Sequence, residues 1–480
     1  MAEESAFFLP IKNFTQRQLV TCQADASLVE AAGLMREHDV SSLVVCSHGH
    51  PVGIFTDRDL RNKVVALGHD PNSLQVRSIM SAPLITVRED DFLFEALYQM
   101  SRNRIHRVCV IDAEGKLTGI LTDSDILKLQ SRSPQQMLRQ IEEAETTEEL
   151  ATLHRQIQDL VLHMVGTGVS TRNLVRMIAH LNDRLQIRLI DLLRQRDFPD
   201  LTDRFAFVVL GSEGRREQTL ATDQDNAIIY ADDLSPAQIE RIEAFSETFI
   251  AALIAVGIPA CPGGIMAKNP FWRRSLSDWS KVVGSWLSTP TSQNILNGSM
   301  YFDLRTLYGD PQLETQLKAL IAEQLSKDAV FLAHTGANVL GFKPPIGWFG
   351  HLQTESKGEY RGQLDIKKAG IFAITEGIKV LALEAGIFHG GTRERLLGLT
   401  TAGVLHPEQA QNLEASFDFL VFLRLRSQVR SIREGRKPGN HLNLDHLNRM
   451  ETGRLKLALE EVRSFQSFLK RHFRIDLLLG

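Results

Sequence analysis

The sequence predicts a multidomain α/β protein. Three observations point to this: an internal repeat in the first third, an apolar strand entering a Gly-Ser loop near the middle, and a last third patterned for helices. At 480 residues the chain exceeds what one hydrophobic core usually serves, so division is expected. Hydrophobic residues make up 43% and charged residues 23%, which excludes collagen-like, disordered and disulfide-scaffold classes. The formal net charge of -4 gives no global attraction to nucleic acid.

Cys22, Cys46, Cys109 and Cys261 form neither a CxxC pair nor a zinc spacing, and read as reduced thiols. Met1-Ala2-Glu3-Glu4 lacks the basic flank and apolar stretch of a signal peptide. The longest apolar run, 250–260, is too short for a bilayer and contains Gly257 and Pro259. A cytoplasmic location without membrane contact is expected.

Thr21, Asp25, Glu30, Ala31 and Met35 recur at one constant offset as Thr86, Asp90, Glu95, Ala96 and Met100. Gly53-Ile54-Phe55-Thr56-Asp57-Arg58-Asp59 recurs as Gly119-Ile120-Leu121-Thr122-Asp123-Ser124-Asp125, one residue further on. That extra residue falls at the Ala113–Lys116 turn, where an insertion costs little. Each copy reads as a helix, an apolar strand (43–45; 108–111), a turn, a second strand and a closing helix. A Thr hydroxyl can bond phosphate or ribose, and an Asp can accept two ribose hydroxyls. The competing use of both residues is helix N-capping. Over residues 13–130 the repeat resembles a tandem CBS domain pair. The resemblance implies one module with adenine-nucleotide clefts, with Thr56, Asp59, Thr122 and Asp125 as ligand candidates.

Residues 133–200 read as a helical connector. Leu150, Leu153, Ile157, Leu160 and Met164 follow helical spacing, and Leu174, Ile178, Leu181, Leu185, Leu189 and Leu192 resume it. Such a hairpin either packs on the next domain or relays a signal between domains.

Within 201–334, the apolar run Phe205–Leu210 suits a buried strand and leads into Gly211-Ser212-Glu213-Gly214-Arg215-Arg216-Glu217. A second strand is expected over 223–230, placing Asp223 and Asp225 on one face. Two carboxylates that close repel unless cations lie between them, and magnesium is the natural hard ion. Gly211 leaves room for a phosphate, and Ser212 with nearby amides can bond it. The ordered series (strand, Gly-Ser loop, Arg, Glu, then Thr222-Asp223-x-Asp225) resembles the nucleotidyltransferase superfamily that includes DNA polymerase beta. Its spacing is similar to that of the PII-uridylyltransferase and glutamine-synthetase adenylyltransferase branch.

That resemblance implies a third carboxylate on a later strand. Ser299–Arg305 reads as such a strand, making Asp303 the expected third metal ligand, with Asp278 its competitor and Arg305 paired to an acid. Lys268 ends a Gly-rich turn and serves either to neutralise a triphosphate or in an ordinary tight loop. Arg273 and Arg274 carry the same alternatives.

Residues 335–480 read as a helical bundle, with helices expected at 365–386, 416–432 and 448–473. The basic stretch Arg424, Arg426, Arg430, Arg433, Arg436 and Lys437 reads as a solvated helix end favoured by the dipole, the alternative being a contact for phosphate or an acidic partner. With this part included, the chain resembles a bacterial family of CBS-linked nucleotidyltransferases with a helical substrate-binding tail. The resemblance implies a two-magnesium site at Asp223, Asp225 and Asp303, with Ser212 and Arg215 orienting a nucleoside triphosphate. It also implies transfer of UMP or AMP to a hydroxyl acceptor on a signalling protein, adenine-nucleotide sensing by the CBS pair, and a homodimer. The alternative expectation is a non-catalytic nucleotide-sensing adaptor.

Overall fold

The internal repeat folds twice in one register. In the computed structural model the first copy consists of β1 (Thr21–Gln23), α1 (Leu28–Glu37), β2 (Ser42–Ser47) and β3 (His50–Thr56). The second consists of β4 (Thr86–Arg88), α2 (Leu93–Asn103), β5 (Arg107–Ile111) and β6 (Leu117–Thr122). In both, the opening strand runs parallel to the next, which pairs antiparallel with the third. Thr21 faces Val44 as Thr86 faces Cys109, and Val45 faces Gly53 as Val110 faces Gly119. The opening strands are additions to the expected elements, since three residues are too few for alternation to show. Each copy closes a core of its own, around Leu28, Leu43 and Phe55 in the first and Leu93, Val108 and Leu121 in the second.

The structure describes residues 10–13, 19–47, 50–123, 125, 134–165, 169–221, 223–326, 330–347 and 351–477. The helix expected after Asp125 and the motif residue Thr222 lie outside them. The chain divides into two units, Met1–Ser133 and Pro134–Gly480. No helix among the described residues is long and apolar enough to cross a membrane.

The second unit is built on a four-stranded sheet of order β10-β7-β8-β9. Its strands are β7 (Phe205–Val209), β8 (Asn226–Tyr230), β9 (Arg273–Ser275) and β10 (Arg305–Gly309). Alternation sorts β7 between two cores: Phe205, Phe207 and Val209 enter one, Ala206 and Val208 the other. The first face is covered by α3 (Pro134–Glu143), α4 (Thr147–Met164), α5 (Thr171–Arg196) and α6 (Pro236–Val256). The connector hairpin is therefore α4 and α5, and its leucine stripes pack with Phe205, Phe207, Phe245 and Phe249.

The opposite face is covered by α7 (Leu276–Ser288), α8 (Ser292–Tyr301) and α9 (Pro311–Leu325). Continuous with that core are α10 (Val330–Val339), α11 (Phe372–Glu384), α12 (Thr392–Thr401), α13 (Pro407–Arg433) and α14 (Arg449–His472). The expected helix over 365–386 is divided. Gln363–Asp365 forms β11, paired antiparallel with β12 (His441–Asn443), and a π-helical turn over Lys367–Ile371 precedes α11.

Two expected strands are corrected. The second strand of the catalytic series begins at Asn226, so Asp223 and Asp225 lie in the extended segment before it. Ser299–Arg305 is not a strand: α8 runs to Tyr301, a turn carries Asp303, and β10 starts at Arg305. Thr291 caps α8, and Ile295, Gly298 and Tyr301 bury one face of it at helical spacing.

Candidate active site

Strand β7 ends at a loop whose positive φ favours glycine. Gly211 has φ +52°, and a Cβ on it would lie 3.3 Å from Met300 Cε and 3.6 Å from Asp225 Oδ2. The Leu210 amide donates to the Asp225 carbonyl at 2.8 Å, holding the acid segment beside the loop. Gln224 is buried between Asp223 and Asp225, and its side chain donates to the Ile258 carbonyl at 2.9 Å. That alternation leaves both acids half-buried on the other side. Burial and the repulsion of Asp223 push the Asp225 carboxyl up to about 6, against a hydrogen bond from the Cys261 thiol. Ser212 is half-buried in the one-turn helix Gly211–Gly214 next to this pair.

Two cations of the C-terminal region act electrostatically on these acids: Lys367, which the sequence pattern does not single out, and Arg424, for which a phosphate contact is the alternative expectation. Lys367 opens the π-helical turn, with its ammonium 4.8 Å from the centre of the Phe372 ring. Its pKa is lowered by burial and by Arg424, and Asp223 and Asp225 oppose that shift. Arg424 is buried on α13, donates to Asn440 Oδ1 at 2.8 Å and reaches toward the Ala221 carbonyl at 3.5 Å. Burial brings its pKa down to about 10, with Asp365 and Asp223 opposing. Arg424 is therefore no solvated helix end, unlike the exposed Arg436, which pairs with Glu434. Two half-buried carboxylates thus lie within electrostatic reach of half-buried Lys367, and Asp223 within reach of buried Arg424, an arrangement that suits a polyanion together with a small hard cation.

Asp303 does not join this pair. Its carboxylate is fully buried, with Arg395 at 2.6 Å on Oδ1 and Lys379 at 2.8 Å on Oδ2, where Arg215 also donates. Burial would raise its pKa, but Lys379, Arg215 and Arg395 outweigh that and hold it well below the usual carboxylate range. Three cations occupy most of this carboxylate's acceptor positions and their charge opposes a metal ion beside them, so Asp303 is placed in an ion-pair network rather than with the acid pair as the expected third ligand. Arg215 is corrected with it. Rather than orienting a triphosphate, its guanidinium bonds Glu217 at 2.8 Å and Asp303.

The network continues into the helical region. Glu217 accepts from the Thr392 amide at 2.6 Å and hydroxyl at 3.0 Å, and Lys379 pairs with Glu376 at 2.9 Å. Its close packing explains two glycines. A Cβ on Gly214 would sit 1.9 Å from the Asp303 carbonyl oxygen, and one on Gly391 2.7 Å from the Arg215 carbonyl oxygen. The Arg-x-Glu part of the motif therefore fastens the loop to α11 and α12.

Other candidates are placed as follows. Lys268 is exposed, and its backbone carbonyl is what the structure uses, accepting from Arg273 at 3.0 Å. Arg273 also bonds the Ala267 carbonyl at 2.9 Å and Glu243 at 2.7 Å, so it anchors the Gly-rich loop to α6. Asp278 lies in the first turn of α7, paired with Lys281. Arg305 pairs with Asp183 at 2.8 Å, as expected.

Among the described residues no group of three His, Cys, Asp or Glu could hold a metal. The residues that could contribute to a magnesium shell are Asp223 and Asp225, a number that fits an ion commonly taking one or two carboxylates plus substrate phosphates.

Glu213 is fully buried, accepts from Gln186, and is pushed up to about 8 by burial, with Asp183 and Asp225 adding to the rise. Folded protein then binds a proton that the unfolded chain has released, so stability falls as pH rises from about 4.5 to about 8. Glu213→Gln is expected to flatten that decline, as read by thermal unfolding across the range.

In the first unit each Thr–Asp pair is closed by reciprocal hydrogen bonds. Thr56 donates to Asp59 at 2.7 Å and Thr122 to Asp125 at 2.6 Å, while each Asp amide donates back to the threonine. Asp59 is also held by Lys63 at 2.8 Å and by the Ser81 hydroxyl at 3.3 Å. In the first copy this geometry caps the helical turn that begins at Asp57, the competing use of these residues.

Family comparisons match four stretches of the chain. Residues 155–293 match a family described as "Putative nucleotidyltransferase DUF294", and residues 329–473 match "Putative nucleotidyltransferase substrate binding domain". Residues 11–66 and 76–132 each match the CBS domain. The chain belongs to the family of CBS-linked nucleotidyltransferases. Its tandem CBS pair, α/β catalytic-type sheet and helical C-terminal region are that family's fold.

Similar proteins include inosine-5'-monophosphate dehydrogenase of Mycobacterium tuberculosis, 39% identical over 111 residues, or 23% of this chain and 20% of the dehydrogenase. Hypoxic response protein 1 of the same species is 35% identical over 111 residues, covering 23% of this chain and 77% of that protein. A crystal structure of a Pyrococcus horikoshii protein shares 36% identity over 26% of this chain and 96% of its own, with TM-score 0.25. The chain spans 59% of a Methanopyrus kandleri protein that it matches at 41% identity, and only a fifth of the dehydrogenase.

Proposed function

We propose that the protein transfers UMP or AMP from a nucleoside triphosphate to a hydroxyl on a signalling protein. What supports the reading is the juxtaposition of Asp223 and Asp225 with Lys367 and Arg424 beside the Gly211-Ser212 loop. Asp223 and Asp225 would hold magnesium, which when bound would supply charge to acidify the acceptor hydroxyl and stabilise departing pyrophosphate. Lys367 and Arg424 take the β- and γ-phosphates, donating to anionic oxygens from a site whose burial strengthens each bond. Ser212 and the loop amides orient the remaining phosphate oxygens. In the CBS pair, Thr56, Asp59, Thr122 and Asp125 exchange their mutual bonds for an adenine nucleotide, whose binding biases the transferase. A cytoplasmic homodimer, formed through the CBS module, is the expected assembly.

The test uses each triphosphate carrying label on the α-phosphate, with the γ-labelled form in parallel. Transfer of α-label with release of pyrophosphate supports the reading, and transfer of γ-label alone contradicts it. Lys367→Met and Arg424→Gln are each expected to raise the KM for the triphosphate about 10- to 100-fold, the worth of one hydrogen bond to a charged group. Initial rates across a concentration series check this.

A second reading, a non-catalytic nucleotide-sensing adaptor, is favoured by one observation: Asp303 is occupied by cations, leaving two acids at the site. It predicts magnesium-dependent triphosphate binding without pyrophosphate release.

A further inference from the structure

Helix α5 carries two polar side chains on its buried face. Asp183 and Gln186 lie about one helical turn apart among Leu181, Leu185 and Leu189, and both are buried. Buried polar groups on a leucine-striped helix need partners. Here the partners lead to the Gly-Ser loop. Gln186 donates to the Glu213 carboxyl, and Asp183 accepts from Arg305 at 2.8 Å and pairs with Arg216 at 3.5 Å. Arg305 donates in turn to the carbonyls of Glu213 at 3.2 Å and Gly214 at 3.3 Å.

We infer that Asp183 and Gln186 are positioning residues for the Gly211–Gly214 turn, acting through Arg305 and Glu213. The assignment rests on the transferase reading above, in which Ser212 of that turn orients phosphate oxygens.

The physical reason lies in the turn itself. A single helical turn cannot sustain its own geometry, because helix formation has a costly nucleus that only further length offsets. Its last carbonyls also lack partners within the helix. Arg305 supplies them with a forked donor, and Asp183 fixes where that fork sits. Gln186 fixes the side chain of Glu213, the neighbour of Ser212. Arg215 and Glu217, which follow the turn, are tied to the Asp303 network and to α12. Without the α5 bonds the turn is fastened mainly through those two residues, and Ser212 is free to shift.

The acid pair is held by different bonds. Gln224 donates to the Ile258 and Pro259 carbonyls at 2.9 and 3.1 Å. Asn226 donates to the Ile265 carbonyl at 3.1 Å and accepts from the Ala267 amide at 2.8 Å. Loss of the α5 contacts should therefore disturb handling of the triphosphate and leave metal binding in place. General destabilisation would not separate the two.

The experiment uses the full chain, magnesium, α-labelled UTP or ATP, and the dialysed protein fraction of a cell extract as acceptor. Manganese alone is the probe of metal binding. Asp183→Leu and Gln186→Leu are each expected to lower the maximal rate of label transfer about 10- to 100-fold, the scale of a misplaced reacting group. Manganese affinity stays near that of the parent chain. Asp183→Asn, which keeps an acceptor for Arg305, recovers most of the lost rate. Leu189→Val trims the apolar face of the same helix and keeps the parent rate, with a lowered midpoint of thermal unfolding. Arg305→Lys keeps the charge without the fork, is expected to slow transfer likewise, and replaces any leucine variant that fails to fold. Variants that transfer label at the parent rate, or that lose it together with manganese binding, overturn the assignment alone. So does Asp183→Asn if it is no faster than Asp183→Leu. A parent chain that transfers no label overturns the transferase reading, and the assignment with it.

Discussion

Asp225→Asn is expected to lower α-phosphate transfer by on the order of 10³-fold, the scale of removing a principal electrostatic contact at a reacting centre. The same substitution should leave the protein as stable as before, or more so. Burial and the neighbouring Asp223 both push the Asp225 carboxyl up, so its ionised form is strained in the resting protein. A neutral amide of the same shape removes that repulsion. Label transfer measured beside thermal unfolding separates the two effects. Undiminished transfer would remove Asp225 from the chemistry.

Asp303→Asn is expected to give the opposite signature. Arg215, Lys379 and Arg395 converge on this carboxylate with no water-accessible surface around it. Breaking a buried ion pair by deleting one partner typically costs about 3–5 kcal/mol, because the remaining charge stays buried. A clear fall in midpoint temperature should follow, together with loosening of the contact between the Gly-Ser loop and α11. The pH dependence has a definite sign. The depressed carboxyl of Asp303 contributes stability that is present at neutral pH and lost only as pH falls below the ordinary carboxylate range. Adding Arg395→Met to Asp303→Asn should recover part of the loss, since a cation that Asp303 had neutralised is then removed. If Asp303→Asn instead left stability unchanged and abolished magnesium binding, the residue would be a metal ligand after all.

These two acids show how far the sequence could be read. The repeat was legible because identical side chains at one offset impose identical registers, and Val45–Gly53 and Val110–Gly119 pair alike. The run Phe205–Leu210 followed by Gly211 was legible because a buried strand and a positive-φ loop each demand particular residues. Asp303 was misread because Tyr301-Phe302-Asp303-Leu304 places apolar residues on both sides of an acid, as a strand also does. Thr291 as a cap and the spacing of Ile295, Gly298 and Tyr301 were the helix signal. The three cations that surround Asp303 come from Arg215 and from α11 and α12, a convergence that local pattern cannot show.

Arg424 did leave a trace. Leu413, Phe417 and Leu420 mark the buried face of α13, and Arg424 falls on that face at the next helical step, whereas Arg433 falls off it. A cation on an apolar stripe needs a partner, and here it finds Asn440 and the Ala221 carbonyl, with Asp365 and Asp223 acting on it electrostatically. Lys367 left none, because the π-helical turn that aims it departs from the 3.6-residue spacing on which the reading relied.

Soaking crystals with manganese and a non-hydrolysable triphosphate, and locating the metal by anomalous scattering, puts the central assignment to the most direct test. Metal between Asp223 and Asp225, phosphates on Lys367 and Arg424, and Asp303 still bonded to Arg215, Lys379 and Arg395 is the predicted result. Metal on Asp303, or phosphates bound away from Lys367 and Arg424, would contradict it.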